Sequence, residues 1–130
     1  MKKTLLSTVT GLALAGGLAL SASAHAADGQ QLYAANCSLC HQVSAAGVPG
    51  QFQPLKGRVA SIASTPEGKT YLTHVLLNGL TGTIKAGGGS YTGYIPSFGT
   101  QTDENIAAIL TYVASLGDAK PAPVFTADDV

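Results

Sequence analysis

Charged residues are scarce in this 130-residue chain, where they make up 11% of the sequence and balance to a formal net charge of zero. Seven lysines and arginines are too few for the basic stripe of a nucleic-acid-binding domain, so that class of function is excluded. Tryptophan is absent, and the only methionine is Met1. The two cysteines are Cys37 and Cys40, so any disulfide, redox couple or metal site based on thiols depends on this pair.

A long uninterrupted apolar run is also missing. The apolar stretch of residues 5–20 is diluted by Ser, Thr and Gly, and it is shorter than the ~18 apolar residues that a membrane-spanning helix needs. Two lysines precede it, and the small-x-small sequence AHA at residues 24–26 follows it. This is the form of a secretory signal peptide. We therefore predict that residues 1–26 are cleaved, that the protein is exported to the periplasm, and that no membrane span remains after cleavage.

Three segments of the remaining chain have helical periodicity, and none alternates as a strand. They are residues 28–40, 65–79 and 102–117, with Asp28, Thr65 and Thr102 as candidate N-caps. Gly- and Pro-rich loops at residues 42–61 and 81–99 separate them, and such long loops are unusual in a small domain unless they wrap a bound group. The sequence predicts an all-α domain over residues 27–118, followed by a flexible tail at residues 119–130.

The chemistry of the chain is concentrated in the sequence CSLCH, residues 37–41. C-x-x-C-H is the attachment signature of a c-type haem. Cys37 and Cys40 can reach the two vinyl groups on one edge of the porphyrin, and His41 is then placed under the iron as an axial ligand. A thioredoxin-like redox pair would need a βαβ context, and a structural zinc site would need four ligands. The motif therefore predicts one covalently bound haem c with its iron held by His41.

With this motif, the chain resembles a bacterial monohaem cytochrome c of class I over residues 27–118. The stretch DGQQLYAANCSLCHQ resembles the first helix of that family, in which a glycine and an aromatic, here Gly29 and Tyr33, pack against the last helix at Ile109 and Tyr112. The resemblance implies a small cytochrome c fold, three main helices and long loops around one haem. It also implies an electron carrier, not an enzyme, that serves a redox partner such as a dehydrogenase, reductase or oxidase.

Two loops extend the resemblance. FQPLKGR resembles the loop whose proline carbonyl accepts a hydrogen bond from the proximal histidine, which assigns that role to Pro54 and makes Arg58 a candidate partner for a haem propionate. YTGYIPSFG resembles the loop that carries the axial methionine, but Ile95 stands at the methionine position.

No residue of the mature chain can supply a thioether to the iron, because Met1 is part of the predicted signal peptide. The sixth position of the iron is therefore open or water-bound, or is filled by another side chain; the candidates are His74, Tyr94, Tyr91 and Lys85. An open position would allow a second function, the binding of a small ligand such as NO, CO or peroxide. Ile95 offers no hydrogen bond, which favours NO or CO over dioxygen.

Overall fold

The computed structural model describes residues 27–130, so the predicted signal peptide lies outside the described residues. This part of the chain contains five α-helices and one β-hairpin, followed by a short 3-10 helix. The elements are α1 Gly29–Asn36, α2 Ser38–His41, α3 Arg58–Ile62, α4 Pro66–Asn78, β1 Leu80–Ala86, β2 Gly89–Ile95, α5 Asp103–Ser115 and the 3-10 helix Ala127–Asp129. Within residues 27–130, no helix is both long enough and apolar enough to cross a membrane.

The predicted helix starts are confirmed at all three N-caps. The side chains of Asp28, Thr65 and Thr102 each accept a hydrogen bond from the backbone N–H three residues ahead. Such caps satisfy N–H groups that have no partner inside the helix. The first predicted helix is divided, because α1 ends at Asn36 and the chain turns at Cys37 into the single turn of α2.

The all-α prediction is only approximate, because residues 81–99 are not a loop throughout. Strands β1 and β2 form an antiparallel hairpin in which Leu80 pairs with Ile95 and Ile84 pairs with Tyr91. These four apolar side chains share one face of the hairpin. The sequence does not show the regular alternation of side chains that marks a strand, because glycines stand between these residues and contribute no side chain.

The core lies between α1, α3 and α5. Gly29 lies so close to α5 that a Cβ at this position would collide with the carbonyl group of Ala108. The rings of Tyr33 and Tyr112 have centroids 5.5 Å apart, as the family resemblance implies. The Tyr33 hydroxyl donates a hydrogen bond of 2.6 Å to the carbonyl of Gln42. Burial is the main reason why the pKa of Tyr33 rises to about 12, so this hydroxyl stays a neutral donor.

Residues 119–130, predicted to be a flexible tail, instead pack on the domain and are called the strap below. Phe125 is buried, and the Thr111 hydroxyl on α5 accepts from its N–H at 2.9 Å and donates to its carbonyl at 3.2 Å. On α4, Lys69 forms an ion pair of 3.1 Å with Asp129 and lies 5.1 Å from the centre of the Phe125 ring. The prolines and the acidic end of this segment suggested mobility, but the buried Phe125 ring and the two hydrogen bonds between its backbone and Thr111 fix the strap.

Candidate functional site

A largely apolar cavity of about 470 Å³ lies between the hairpin, the helices α4 and α5, and the loop that precedes α3. Its volume is within the range of small-molecule and cofactor sites. The helices contribute aliphatic side chains at Leu72, Val75 and Leu76 on α4 and at Ile109, Leu110 and Val113 on α5. Cys37, Cys40 and His41 line the same cavity, so the structure brings together the three residues that the sequence motif singled out.

The turn of α2 places the motif on the cavity wall. The His41 N–H donates to the Cys37 carbonyl at 2.9 Å, which closes one helical turn over the five residues. Both thiols are half-buried and neither forms a disulfide. Burial is the main cause of the rise of the Cys37 pKa to about 11, with the neighbouring Cys40 adding to it. A redox-active pair normally has a lowered thiol pKa, so Cys37 does not resemble an activated thiolate.

His41 is oriented by a backbone carbonyl, but not by the one that was predicted. Its Nδ1 lies 3.0 Å from the carbonyl oxygen of Gln53, to which it donates a hydrogen bond, so the assignment of this role to Pro54 is wrong by one residue. Burial lowers the pKa of His41, and the hydrogen bond to Gln53 opposes that shift. The imidazole is therefore favoured in its neutral form, with Nε2 available as a metal ligand.

Pro54 has a different contact. A Cβ built on Gly87, at the tip of the hairpin, would lie 3.1 Å from Cγ of the Pro54 ring. The loop that orients His41 therefore also supports the tip of the hairpin. Arg58, at the start of α3, lines the cavity and has no carboxylate partner within residues 27–130. Its role as a propionate partner stays a prediction.

The inner face of the hairpin forms another wall of the cavity. Ile95 lines the cavity at the base of the hairpin, and Ile84 and Tyr91 line it nearer the tip. Between them, Gly82 faces Gly93, and a Cβ at either position would have no atom within 4 Å. This wall is therefore apolar at its two ends and has free space at the glycine pair. It was not predicted from the sequence, although apolar residues at 80, 84, 91 and 95 were a usable signal.

Three of the candidate iron ligands, His74, Lys85 and Tyr94, have exposed side chains. The side chain of His74 is exposed, and its Nδ1 lies 3.2 Å from the Asn78 amide on the same helix. Lys85 alternates with the inward residues of β1 and is exposed. Tyr94 borders the cavity, but it lies on the face opposite Ile95 and is 74% exposed.

Tyr91 does lie on the inner face and is buried. Its ring packs over the backbone of Gly89, where a Cβ would be 3.2 Å from Cε2 of Tyr91. The ring is therefore directed toward the hairpin tip and away from Ile95.

The cavity suits a flat apolar group attached through sulfur, because two thiols and one neutral imidazole lie on one turn of helix with aliphatic walls around them.

The chain matches the family described as Cytochrome c over residues 26–117. It is 44% identical over 134 residues to a cytochrome c-552 of Thermus thermophilus, an alignment that covers all of this chain and 84% of that protein. It is 45% identical over 108 residues to another cytochrome c-552 of Thermus thermophilus, covering 80% of this chain and 82% of the relative.

Proposed function

This chain belongs to the cytochrome c family, and from that premise we propose that it is an exported electron carrier in which Cys37 and Cys40 hold the haem and His41 binds its iron. The family's covalently bound haem c is the cofactor, and its iron supplies one-electron chemistry by changing between the ferric and ferrous states. The observation that carries the residue assignment is that the two thiols and the imidazole line one apolar cavity together.

The role of the chain's own residues follows from that cavity. The Gln53 carbonyl fixes the Nδ1–H tautomer and the ring orientation of His41, which leaves Nε2 for the iron. The aliphatic side chains of α4, α5 and the hairpin exclude water, and a low-dielectric site stabilises the less charged state of a bound redox group.

Contact with a redox partner is proposed at the apolar surface beside the motif. Leu39 and Val43 lie within and just after the motif and are 91% and 76% exposed. Exposed apolar side chains next to a cofactor can be buried in a transient complex. The surrounding sequence, residues 29–55, contains no Asp, Glu, Lys or Arg. The partner is proposed to be a dehydrogenase, reductase or oxidase, and its docking should depend only weakly on salt concentration.

The ligation of the iron is proposed to be atypical. Ile95 lies on the inner face of the hairpin at the position where the family resemblance places methionine, and residues 27–130 contain no methionine. Methionine ligation raises the potential of a c-type haem. We therefore expect a reduction potential below that of a histidine–methionine relative, by as much as a few tenths of a volt, since axial ligation spans about 0.8 V across haem proteins.

A second candidate function, the binding of a small ligand, is supported by the orientation of His74, Lys85 and Tyr94. Their side chains lie on outward faces, which favours an open or water-bound sixth position. The apolar surroundings of Ile95 favour CO and NO, which need no hydrogen-bond donor.

Two measurements on the purified haem-containing protein test these assignments. The pigment should stay with the polypeptide through acid–acetone extraction and denaturing electrophoresis, and extraction into the organic phase would overturn the thioether assignment. The absorption spectra of the ferric and ferrous protein should then be those of a high-spin haem. Addition of CO should change the ferrous spectrum.

The control variant for the sixth position is His74→Ala, because His74 is the one remaining imidazole outside the motif in residues 27–130. Its spectrum should equal that of the native protein. A native low-spin spectrum that is lost in His74→Ala would replace the open-site assignment with ligation by two histidines.

A further inference from the structure

The hairpin is fixed at its base. The Phe98 N–H donates to the Leu76 carbonyl at 2.8 Å, and the Ser97 hydroxyl donates to the Leu77 carbonyl at 2.5 Å, so the segment after β2 is attached to the end of α4. At the start of β1, a Cβ on Gly79 would lie 2.5 Å from the Ile95 carbonyl. The two strands therefore leave α4 as one unit with a well-defined base.

The tip of the hairpin is held differently. Gly87 and Gly88 form the turn and have positive φ angles of 56° and 79°. The Pro54 ring is next to Gly87, where a Cβ would lie 3.1 Å from its Cγ, whereas a Cβ on Gly88 would have no atom within 4 Å. A two-stranded hairpin is only marginally stable by itself, so the position of its tip depends on what it contacts.

The Pro54 ring and the Gln53 carbonyl belong to one rigid group. The Gln53–Pro54 peptide bond is planar, so the carbonyl oxygen that accepts from His41 lies in the same plane as the nitrogen and Cδ of the proline ring. A displacement of the ring by the hairpin tip must therefore tilt or move that carbonyl. The fixed φ angle of proline removes one way in which the loop could absorb the movement.

We propose that Pro54 is a positioning residue that transmits the position of the hairpin tip to the Gln53 carbonyl and thereby sets the strength of its hydrogen bond with His41. The inference rests on the proposed role of His41 as the iron ligand. It links the wall that carries Ile95 to the histidine side of the cavity through three consecutive contacts: Gly87 with Pro54, Pro54 with Gln53, and Gln53 with His41.

The direction of the effect follows from the geometry. At 3.0 Å the bond between Nδ1 and the carbonyl oxygen is at the most common N–H···O distance, so a displacement of the carbonyl weakens it. A hydrogen bond from the second nitrogen makes a ligating imidazole more basic, which favours the more highly charged ferric iron. A weaker bond should raise the reduction potential and speed the exchange of the Nδ1 proton with solvent.

The test is a matched pair of variants, Gly87→Ala and Gly88→Ala. Both place an alanine at a positive φ angle in the same turn, but only the methyl group at position 87 meets Pro54. In the haem-containing protein, Gly87→Ala should raise the reduction potential and accelerate the exchange of the His41 Nδ1 proton, which NMR of the reduced protein follows. Gly88→Ala should change neither. Equal potentials and exchange rates in the two variants would overturn the inference.

A third variant keeps the test decisive if Gly87→Ala does not accumulate as a haem protein. Pro54→Ala removes the ring that the tip contacts and should by itself raise the potential and accelerate the exchange of the same proton; unchanged values would overturn the inference. These outcomes are separate from a failure of the proposed function. Pigment that extracts into acid–acetone refutes the attachment, whereas covalent, His41-ligated haem with no response in Gly87→Ala refutes only the role of Pro54.

Discussion

Replacing Phe125 with alanine should lower the free energy of unfolding by about 3–5 kcal/mol, the range observed for removing a large aromatic side chain from a core. The residue is only 4% exposed although it belongs to the strap. Burial of a phenylalanine side chain contributes about 1.5–3 kcal/mol, and the cavity that remains adds to the loss. The Lys69 ammonium, 5.1 Å from the ring centre, adds about 0.5–1 kcal/mol for a partly exposed cation–π contact.

The assay is urea unfolding of the ferric protein followed by far-UV circular dichroism, with Val124→Ala as the control. Val124 is the preceding residue and is 60% exposed, so its replacement should change stability by no more than about 0.5 kcal/mol. The visible spectrum should be the same in both variants, because neither side chain lines the cavity that contains Cys37, Cys40 and His41. If Phe125→Ala were no more destabilising than Val124→Ala, the strap would not be packed on the domain in solution.

Three further predictions concern single side chains. Ile95→Met replaces a side chain with one of similar volume and should lower the free energy of unfolding by less than about 1.5 kcal/mol. The variant should have a low-spin haem with a higher reduction potential and weaker CO binding. An unchanged spectrum would show that the hairpin does not place residue 95 at the iron. Tyr33→Phe should cost about 1–2 kcal/mol in urea unfolding, because the Gln42 carbonyl loses its 2.6 Å donor; no loss would contradict that role. The pKa of Asp129 is lowered by the hydrogen bond from the backbone N–H of Thr126 and then by Lys69. The ionised Asp129 therefore stabilises the folded protein. This contribution is complete above the unfolded-state pKa of about 3.8 and disappears as the pH falls through the lower folded-state pKa. Asp129→Asn should remove that part of the acid dependence, and identical acid unfolding curves for the two proteins would argue against a lowered pKa of Asp129 in the folded protein.

The features that the sequence predicted correctly are local. An N-cap such as Thr102 acts on a backbone N–H three residues away, and the apolar stripe of α5 repeats within one helix, so both are readable without knowledge of the fold. The motif is equally local, since Cys37, Cys40 and His41 occupy one helical turn, and their roles toward the haem stay a prediction. The side chains of α4 and α5 that line the cavity with them lie in the segments 65–79 and 102–117, whose helical periodicity the sequence showed.

The features that were missed depend on contacts between distant residues. Glycines at positions 82 and 93 face each other across the hairpin, and neither carries a side chain that could show the alternation of a strand. The packing of the strap depends on Thr111, whose hydroxyl forms hydrogen bonds with the backbone of Phe125. No pattern in the sequence near either residue predicts that pairing. The acceptor for His41 is Gln53 and not Pro54 because the course of a loop decides which of two adjacent carbonyls faces inward.

The strap also bears on how fast the domain opens. Its contacts join residues far apart in the chain, since Lys69 and Asp129 are separated by 60 positions and Thr111 and Phe125 by 14. Closing such long loops carries an entropic cost, so we expect these contacts to form after the transition state for folding. Interactions absent from the transition state slow unfolding without accelerating folding. The strap should therefore slow the unfolding of the domain. Weakening it should shorten the lifetime of the folded domain in the presence of proteases and leave the refolding rate unchanged.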